Sequence, residues 1–426
     1  MRRSRWSALG LWATLHACTA SVPPGFDGGL SDGGPNDASV SDAGETDAGG
    51  PDAGRPDAGS VRRFFSPDAS WNTPNAVYGE STRYAAYADR FFQWAGGSDP
   101  ATIGKLMPKF KAYSVPIYDL KTATTTARVF EAVWAQNWAT LGNVAIGSTI
   151  PWNPAWKPGT ENDRIMATVD ESTGKVFEFW GVGEAKTACI DWFGPNAQAG
   201  YDANNPNHLC LAGLNTYENL WTATDGTTIV GRGMGINKLA LVTRADEVLA
   251  GRIEHALELT ITNSMFGEPL CNPPRGDSAP DAGVHCGFYL PPATRVEWTA
   301  STINRCAPTQ TPPTSAYRSQ TVPEGIRVAL HVTDAEIEAW LSSRNYTGAR
   351  RQTARVFAVA LRDYGAIVAE TGCWGVGIET DGVVNPTSAA KWAAAGIVDD
   401  GSANPAGDLL DGLVTRARLY VVEPPP

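Results

Sequence analysis

Histidine and methionine are scarce, five of each in 426 residues, and one histidine, His16, falls within the first 17. A multi-histidine metal centre is therefore not expected. Beyond the N-terminus no apolar run approaches the roughly 18 residues of a spanning helix, which excludes a polytopic helical membrane protein. Basic residues are outnumbered 34 to 45, for a net charge of −11, so nucleic acid is not an expected partner. No two cysteines have C-x-x-C spacing, and no G-x-S-x-G elbow, H-E-x-x-H pair or Walker loop is present. The Gly231 to Gly235 segment, Gly-Arg-Gly-Met-Gly, does not follow a strand and open a helix, and reads as a flexible turn. Lipase-like, zincin and nucleotide-binding readings lose their support. What remains is chemistry done by carboxylates, aromatic rings and at most one histidine.

Charge is unevenly distributed. Residues 1–17 carry three arginines and no acid, whereas residues 19–60 carry seven Asp, one Glu and one Arg. Arg2, Arg3 and Arg5 precede a short apolar stretch from Trp6 to Ala17, closed by Leu15-His16-Ala17-Cys18. This resembles the lipobox of bacterial lipoproteins, departing from it at His16, where a small or hydroxyl residue is commoner. The resemblance implies removal of residues 1–17, lipidation of Cys18 and export to the cell envelope, with Thr19 favouring the outer membrane. An ordinary secretory signal peptide cleaved nearby is the alternative.

Residues 18–60 then repeat with a period of five: Asp27, Asp32, Asp37, Asp42, Asp47, Asp52 and Asp57, in Pro-Asp-Ala-Gly units. Five matches neither a helix nor a strand, and like charges at regular spacing repel, so an extended solvated tether is expected. It resembles the stalks of myxobacterial lipoproteins. Isolated acids on such a chain lack the converging oxygens of a calcium loop, and no cofactor is expected, although calcium stays open.

Setting Cys18 aside leaves Cys189, Cys210, Cys271, Cys286, Cys306 and Cys373, an even number suited to an oxidising compartment. Six cysteines allow 15 pairings. Chain proximity favours 189 with 210, 271 with 286, and 306 with 373.

The body, residues 61–426, reads as a single large β-rich domain, a sandwich or jelly-roll-like fold with a few covering helices in its last third. An α+β fold is the fallback, and a sub-boundary within 265–320 the alternative division. The clearest element is a hairpin, Arg164 to Asp170 and Lys175 to Gly181, around the turn Glu171-Ser172-Thr173-Gly174. It should oppose Ala167 to Glu178 and Val169 to Val176, with both faces largely apolar. Further strands are expected at 112–120, 128–134, 227–231, 238–242, 251–262, 366–371 and 416–423. Thr333-Asp334-Ala335-Glu336 is a capping box for a helix to about Arg344, and a second helix runs from Arg350 to Asp363.

Candidate chemistry follows from these elements. Glu178, inward beside Trp180, should be protonated near neutral pH by desolvation and so suits a general acid; an internal ion pair is the structural alternative. Asp170 or Glu254 is its candidate partner carboxylate. His255 shares a strand face with Ile253 and Leu257, while Glu254 and Glu258 share the other. His255 is a candidate proton-transfer group, with Tyr364 in the same role if the chemistry is elimination.

Nine of the body's 13 tryptophans lie between residues 71 and 221. Trp71 beside Asn72, the Trp152 and Trp156 pair, and Trp180 suit stacking on pyranose rings. The body resembles secreted carbohydrate-active β-sandwich proteins in composition and strand pattern. The expectation is a monomeric, surface-anchored protein whose partner is a polysaccharide. It would act as a glycoside hydrolase or polysaccharide lyase, or else as a non-catalytic adhesin or a structural envelope protein.

Overall fold

The computed structural model describes residues 61–426, apart from 97–103, 133–141, 162, 184–188, 190–199, 229–230, 263, 265–269, 277–285, 298–320 and 373–374. Cys18, the Asp-rich repeat, Trp134, Trp138, Cys306 and Cys373 lie outside the described residues. Residues from Pro56 onward form one compact unit.

Fifteen strands and six α-helices are described, and the chain is mainly β with α+β character. The largest sheet has six strands in the order β1 (Met107–Lys109), β14 (Gly377–Glu379), β9 (Leu257–Ile261), β13 (Ala366–Thr371), β12 (Arg327–Leu330) and β15 (Leu419–Val422). It draws strands from both sides of residues 265–320. A four-stranded sheet contains β2 (Ile117–Asp119), β5 (Met166–Val169), β6 (Val176–Trp180) and β8 (Gly213–Tyr217). A three-stranded sheet contains β4 (Thr149–Trp152), β3 (Thr125–Glu131) and β7 (His208–Leu211), and β10 (Leu270–Arg275) pairs with β11 (Gly287–Tyr289).

The helices are α1 (Asn75–Tyr78), α2 (Ala86–Trp94), α3 (Ala245–Leu249), α4 (Asp334–Ser343), α5 (Gly348–Asp363) and α6 (Pro386–Ala394). The expected capping box opens α4: Thr333 Oγ1 accepts from the Glu336 N–H, and the Glu336 carboxylate accepts from the Thr333 N–H. Burial then follows helical spacing, with Ile337, Trp340 and Leu341 inward. Helix α5 buries Phe357, Ala358 and Leu361 in the same core.

Sheet alternation separates the cores. Leu257, Leu259 and Ile261 of β9 and Val368 of β13 pack with the late helices. On the opposite face, Ile367 and Ala369 join Ala167, Val169 and Val176 of the hairpin in a second core. Met166, Phe177 and Phe179 on the far side of the hairpin meet Val129, Ile150 and Leu211 of the three-stranded sheet in a third. The hairpin is thus covered on both faces. Its register is as expected, Ala167 opposite Glu178 and Val169 opposite Val176. The turn requires Gly174, whose φ is +77° and where a Cβ would meet the Trp221 ring at 2.7 Å.

Four expected strands are different; of residues 112–120 only Ile117–Asp119 pairs in a sheet, and Leu120 opens a 3-10 turn capped by Asp119. Residues 238–240 form a 3-10 helix, because Asn237 Oδ1 accepts from the Leu239 N–H at 2.8 Å. Residues 227–231 contribute an isolated bridge, Thr227 to Ile236. Of residues 251–262 only Leu257–Ile261 pairs in the sheet. Two disulfides join the expected partners, Cys189 with Cys210 and Cys271 with Cys286.

Candidate functional site

The site starts from four adjacent strands. Parallel pairing places Lys109 of β1 beside Glu379 of β14. Antiparallel pairing of Gly377 with Thr260 brings Glu379 next to Glu258 of β9. On β13, simple alternation from Ile367, opposite Glu258, would send Glu370 to the helix side with Val368. A bulge between Val368 and Glu370 instead pairs Glu370 with Thr260, on the face of Glu258. Lys109, Glu379, Glu258 and Glu370 therefore form one row across the sheet.

Carboxylate oxygens of Glu258, Glu370 and Glu379 lie within 4.8 Å of one another. Three such oxygens could ligate an ion, but a cation already occupies their midst. Arg232, fully buried, hydrogen-bonds Glu379 through Nη1, and the same nitrogen lies 3.8 Å from Glu258 and 3.8 Å from Glu370. Its Nη2 donates to the Lys238 carbonyl at 2.8 Å. The supposedly flexible turn at 231–235 is in fact a tight one that holds this arginine: the Gly235 N–H donates to the Arg232 carbonyl and the Arg232 N–H to the Ile236 carbonyl, each at 2.8 Å. Gly233 is needed there because a Cβ would meet the Glu297 carboxyl at 2.7 Å.

The row is electrostatically polarised. Burial, then repulsion from Glu379, pushes Glu258 up to about 7. Burial raises Glu370 too, with Glu379 and Asp163 adding to the effect against Lys238 and Arg232. For Glu379 burial acts in the same upward sense, but Arg232, Lys109 and Lys238 outweigh it and hold the group below its ordinary range. One carboxyl, at the Lys109 end of the row, is thus lowered while the next two are raised. Glu258 is bonded on both oxygens, accepting from Thr260 Oγ1 at 2.8 Å and the Glu379 N–H at 3.0 Å. Lys109 Nζ donates to the same Thr260 hydroxyl at 2.9 Å.

Solvent reaches the row at one end. The Glu370 side chain is 19% exposed, against 0% for Glu258 and 3% for Glu379. Asp163, Trp180, Lys109, Tyr113 and Glu297 are half-buried around it. Burial raises Asp163, with Lys238 opposing and Glu379 reinforcing, and the carboxyl is hydrogen-bonded to the Trp180 side chain. Glu297 accepts from the Thr371 N–H at 2.6 Å and is pushed up to about 8 by burial and Glu370.

The residues singled out from the sequence divide. Glu178 has the expected shift, up to about 7 by desolvation against the pull of Lys238 and Arg232. It is only 1% exposed, however, and its Oε1 accepts from the N–H groups of Lys238 and Leu239. The carboxyl holds the 238–240 turn behind the row. Asp170 is outside the row: it accepts from the Ser172 hydroxyl and N–H in the hairpin turn, which holds it below the usual carboxylate range, and lies 3.4 Å from Lys121.

His255 precedes β9 rather than lying in it. Its Nδ1 donates to the Ala256 carbonyl at 2.8 Å, and Nε2 lies 3.4 Å from Glu247, which is bound by Arg244. Glu254 is at the surface, 3.6 Å from both Arg63 and Arg252. These two groups belong to a separate structural network.

The aromatic residues also separate. Trp71 is buried against Phe65 in an edge-on contact, and Asn72 donates to the Phe64 and Ser66 carbonyls. Trp152 and Trp156 pack edge to face, and Trp156 also stacks on Tyr118 and donates to Thr122 Oγ1. These side chains are core, although their segment is rich in proline. Only Trp180 of the expected aromatic set is at the opening of the row.

No family model, curated protein or solved structure matches the chain.

Proposed function

We propose that this chain hydrolyses glycosidic bonds of a polysaccharide, displayed at the cell envelope on a lipid-anchored tether. The observation that carries the reading is the polarised row: Glu379 held below the ordinary carboxylate range and a partly exposed Glu370 raised above it, with Trp180 at the opening. Glu370 is the general acid for the leaving oxygen, and Glu379 the carboxylate that meets the developing positive charge on the sugar. Arg232 and Lys238 position Glu379 and keep it ionised. Asp163 orients Trp180, whose ring supplies the stacking surface for a pyranose. The carboxyl separation is closer to the roughly 5 Å of retaining glycosidases than to the roughly 6.5–9.5 Å that accommodates a water in inverting ones. Net retention of anomeric configuration is therefore expected.

A panel of neutral and acidic polysaccharides, followed for reducing ends and for the ultraviolet absorbance of unsaturated uronates, tests the reaction class. Reducing ends without absorbance support hydrolysis, and Glu370→Gln and Glu379→Gln should each lower the rate at least a hundredfold. Absorbance would transfer the chemistry to an elimination. Glycan binding with no turnover anywhere in the panel would favour a binding protein, a reading to which the deep burial of Glu258 and Glu379 lends support.

A further inference from the structure

A second feature lies at the other end of β13. Tyr364 lies two residues before this strand and Glu370 is its last residue but one; the four steps from Ala366 to Glu370 alone span about 13 Å at strand rise. Beside Tyr364 is a cleft of ≈ 450 Å³, bounded by Asn75, Glu80, His331, Asp363, Tyr364 and Tyr420. That volume falls within the range of small-ligand sites, about 300–1,000 Å³. The row of carboxylates does not use any of these residues.

Three properties of the cleft point to a ligand. The His331 imidazole is 60% exposed and lies flat on the Tyr420 ring, with centroids 4.1 Å apart and planes at 17°, so a level aromatic surface faces solvent. Asn75 is 3% exposed; its Nδ2 donates to the Arg362 carbonyl at 2.9 Å and its side chain is hydrogen-bonded to the Tyr420 phenol, which fixes the aromatic surface in place. Burial raises the Tyr364 and Tyr420 phenols, so both keep their O–H.

Charge selects among ligands. Glu80 and Asp363 contribute negative charge. Arg362, bound to Asp363 and Asp334, and the buried Arg327, within electrostatic range of Tyr364 and Tyr420, offset it. Arg327 is buried and gives both Nη groups to the carbonyls of Ser70, Trp71 and Thr73, leaving only a buried Nε without a partner. Neither arginine presents a free fork to a ligand carboxylate, and Glu80, which pairs with His331 Nε2 at 3.2 Å through one oxygen, keeps the other for a ligand hydroxyl. A flat aromatic platform ringed by neutral donors and carboxylate acceptors is the chemistry of a neutral pyranose.

We propose that this cleft is a second glycan-binding site, taking a neutral oligosaccharide segment away from the carboxylate row. It rests on the polysaccharide reading above for its choice of polymer, but not on hydrolysis. Binding of the hexaoses of glucose, xylose and mannose, with hexagalacturonate as the acidic counterpart, is measured calorimetrically on the full chain. The wild type is compared with His331→Ala, His331→Phe and Glu370→Gln, and cleavage of a short aryl glycoside is followed in parallel.

A neutral hexaose should bind the wild type and Glu370→Gln alike, lose at least tenfold in affinity in His331→Ala, and recover in His331→Phe, which restores the platform. Aryl glycoside turnover should be the same in both His331 variants as in wild type. Affinity that falls in Glu370→Gln and is indifferent to His331 would overturn the second site while leaving the hydrolase reading standing. Preference for hexagalacturonate, or no binding that depends on His331, would overturn it as well. Cleft binding with no turnover of any substrate would support the site and sink the hydrolase reading.

Discussion

Replacing Glu178 by Gln should make the protein more stable, by an amount that grows as pH rises from 4.5 to about 7 and then levels off. The side chain is 1% exposed, and its ordinary pKa of 4.5 is raised to about 7, chiefly by desolvation. A group whose folded pKa is raised contributes stability that is fully present below the unfolded value and is lost as pH rises through the folded one. For Glu178 the window is 4.5 to about 7. The loss across it corresponds to about 3 kcal/mol.

Gln is close in shape to the protonated acid and can accept the same two N–H bonds from Lys238 and Leu239, so at about pH 4, below the unfolded pKa, the two proteins should unfold together. At pH 8.5 the variant should be more stable by about 3 kcal/mol, about 4 °C in midpoint for a body of this size. Thermal scans of wild type and Glu178→Gln at both pH values measure it. The neighbouring raised carboxyls Glu258 and Glu297 titrate in both proteins, so the difference isolates Glu178. A variant that is less stable at pH 8.5, or a difference that does not change with pH, would refute the desolvation argument.

Removing the buried cation has the opposite sign. Arg232→Met leaves Glu258, Glu370 and Glu379 facing one another, and should cost about 3–5 kcal/mol at pH 8; chemical denaturation at pH 5, where two of the three favour protons, should show a smaller loss. Trp152→Ala should cost about 3–5 kcal/mol as a core truncation without changing glycan affinity in the folded protein. Trp180→Ala should weaken glycan binding at the carboxylate row, and calorimetry beside thermal scans distinguishes the two effects. Cys271→Ser opens a 15-residue separation and should cost about 3 kcal/mol, read as a fall in the unfolding midpoint; reductant, which also opens Cys189–Cys210, should lower the wild type further.

Local order was legible where it depends on neighbours in sequence. The Gly174 turn with its flanking alternation specified the hairpin register, and Thr333 with Glu336 specified the start of α4. What the row requires is not local. Glu258 was visible as one acid on a charged strand face, but Glu370 reaches it only through the bulge after Val368, and no residue type marks that bulge. The glycines around Arg232 read as flexibility because the carboxylates that fix the arginine come from residues 258, 370 and 379. Lys238 to Val242 alternates like a strand, yet Glu178 and Asn237 capture its first N–H groups and wind it into a 3-10 turn. Tryptophan in a proline-rich segment was misleading for a related reason: Tyr118 and Phe179, which cover Trp152 and Trp156, are distant in sequence.

The bulge in β13 makes the strand's two tasks separable. Up to Val368 the side chains are committed to packing, and substitutions there adjust the core without changing where Glu370 points. Deleting Ala369, the one residue between Val368 and Glu370, would restore strict alternation yet leave Glu370 opposite Thr260 on the face of Glu258, at the cost of one methyl in the second core. Healing the bulge at constant length, with Ala369 taking the place opposite Thr260, would instead turn the carboxyl toward the helices. The position of Glu370 therefore depends on which residue of the strand pairs with Thr260, and not on the side chains at 366–368.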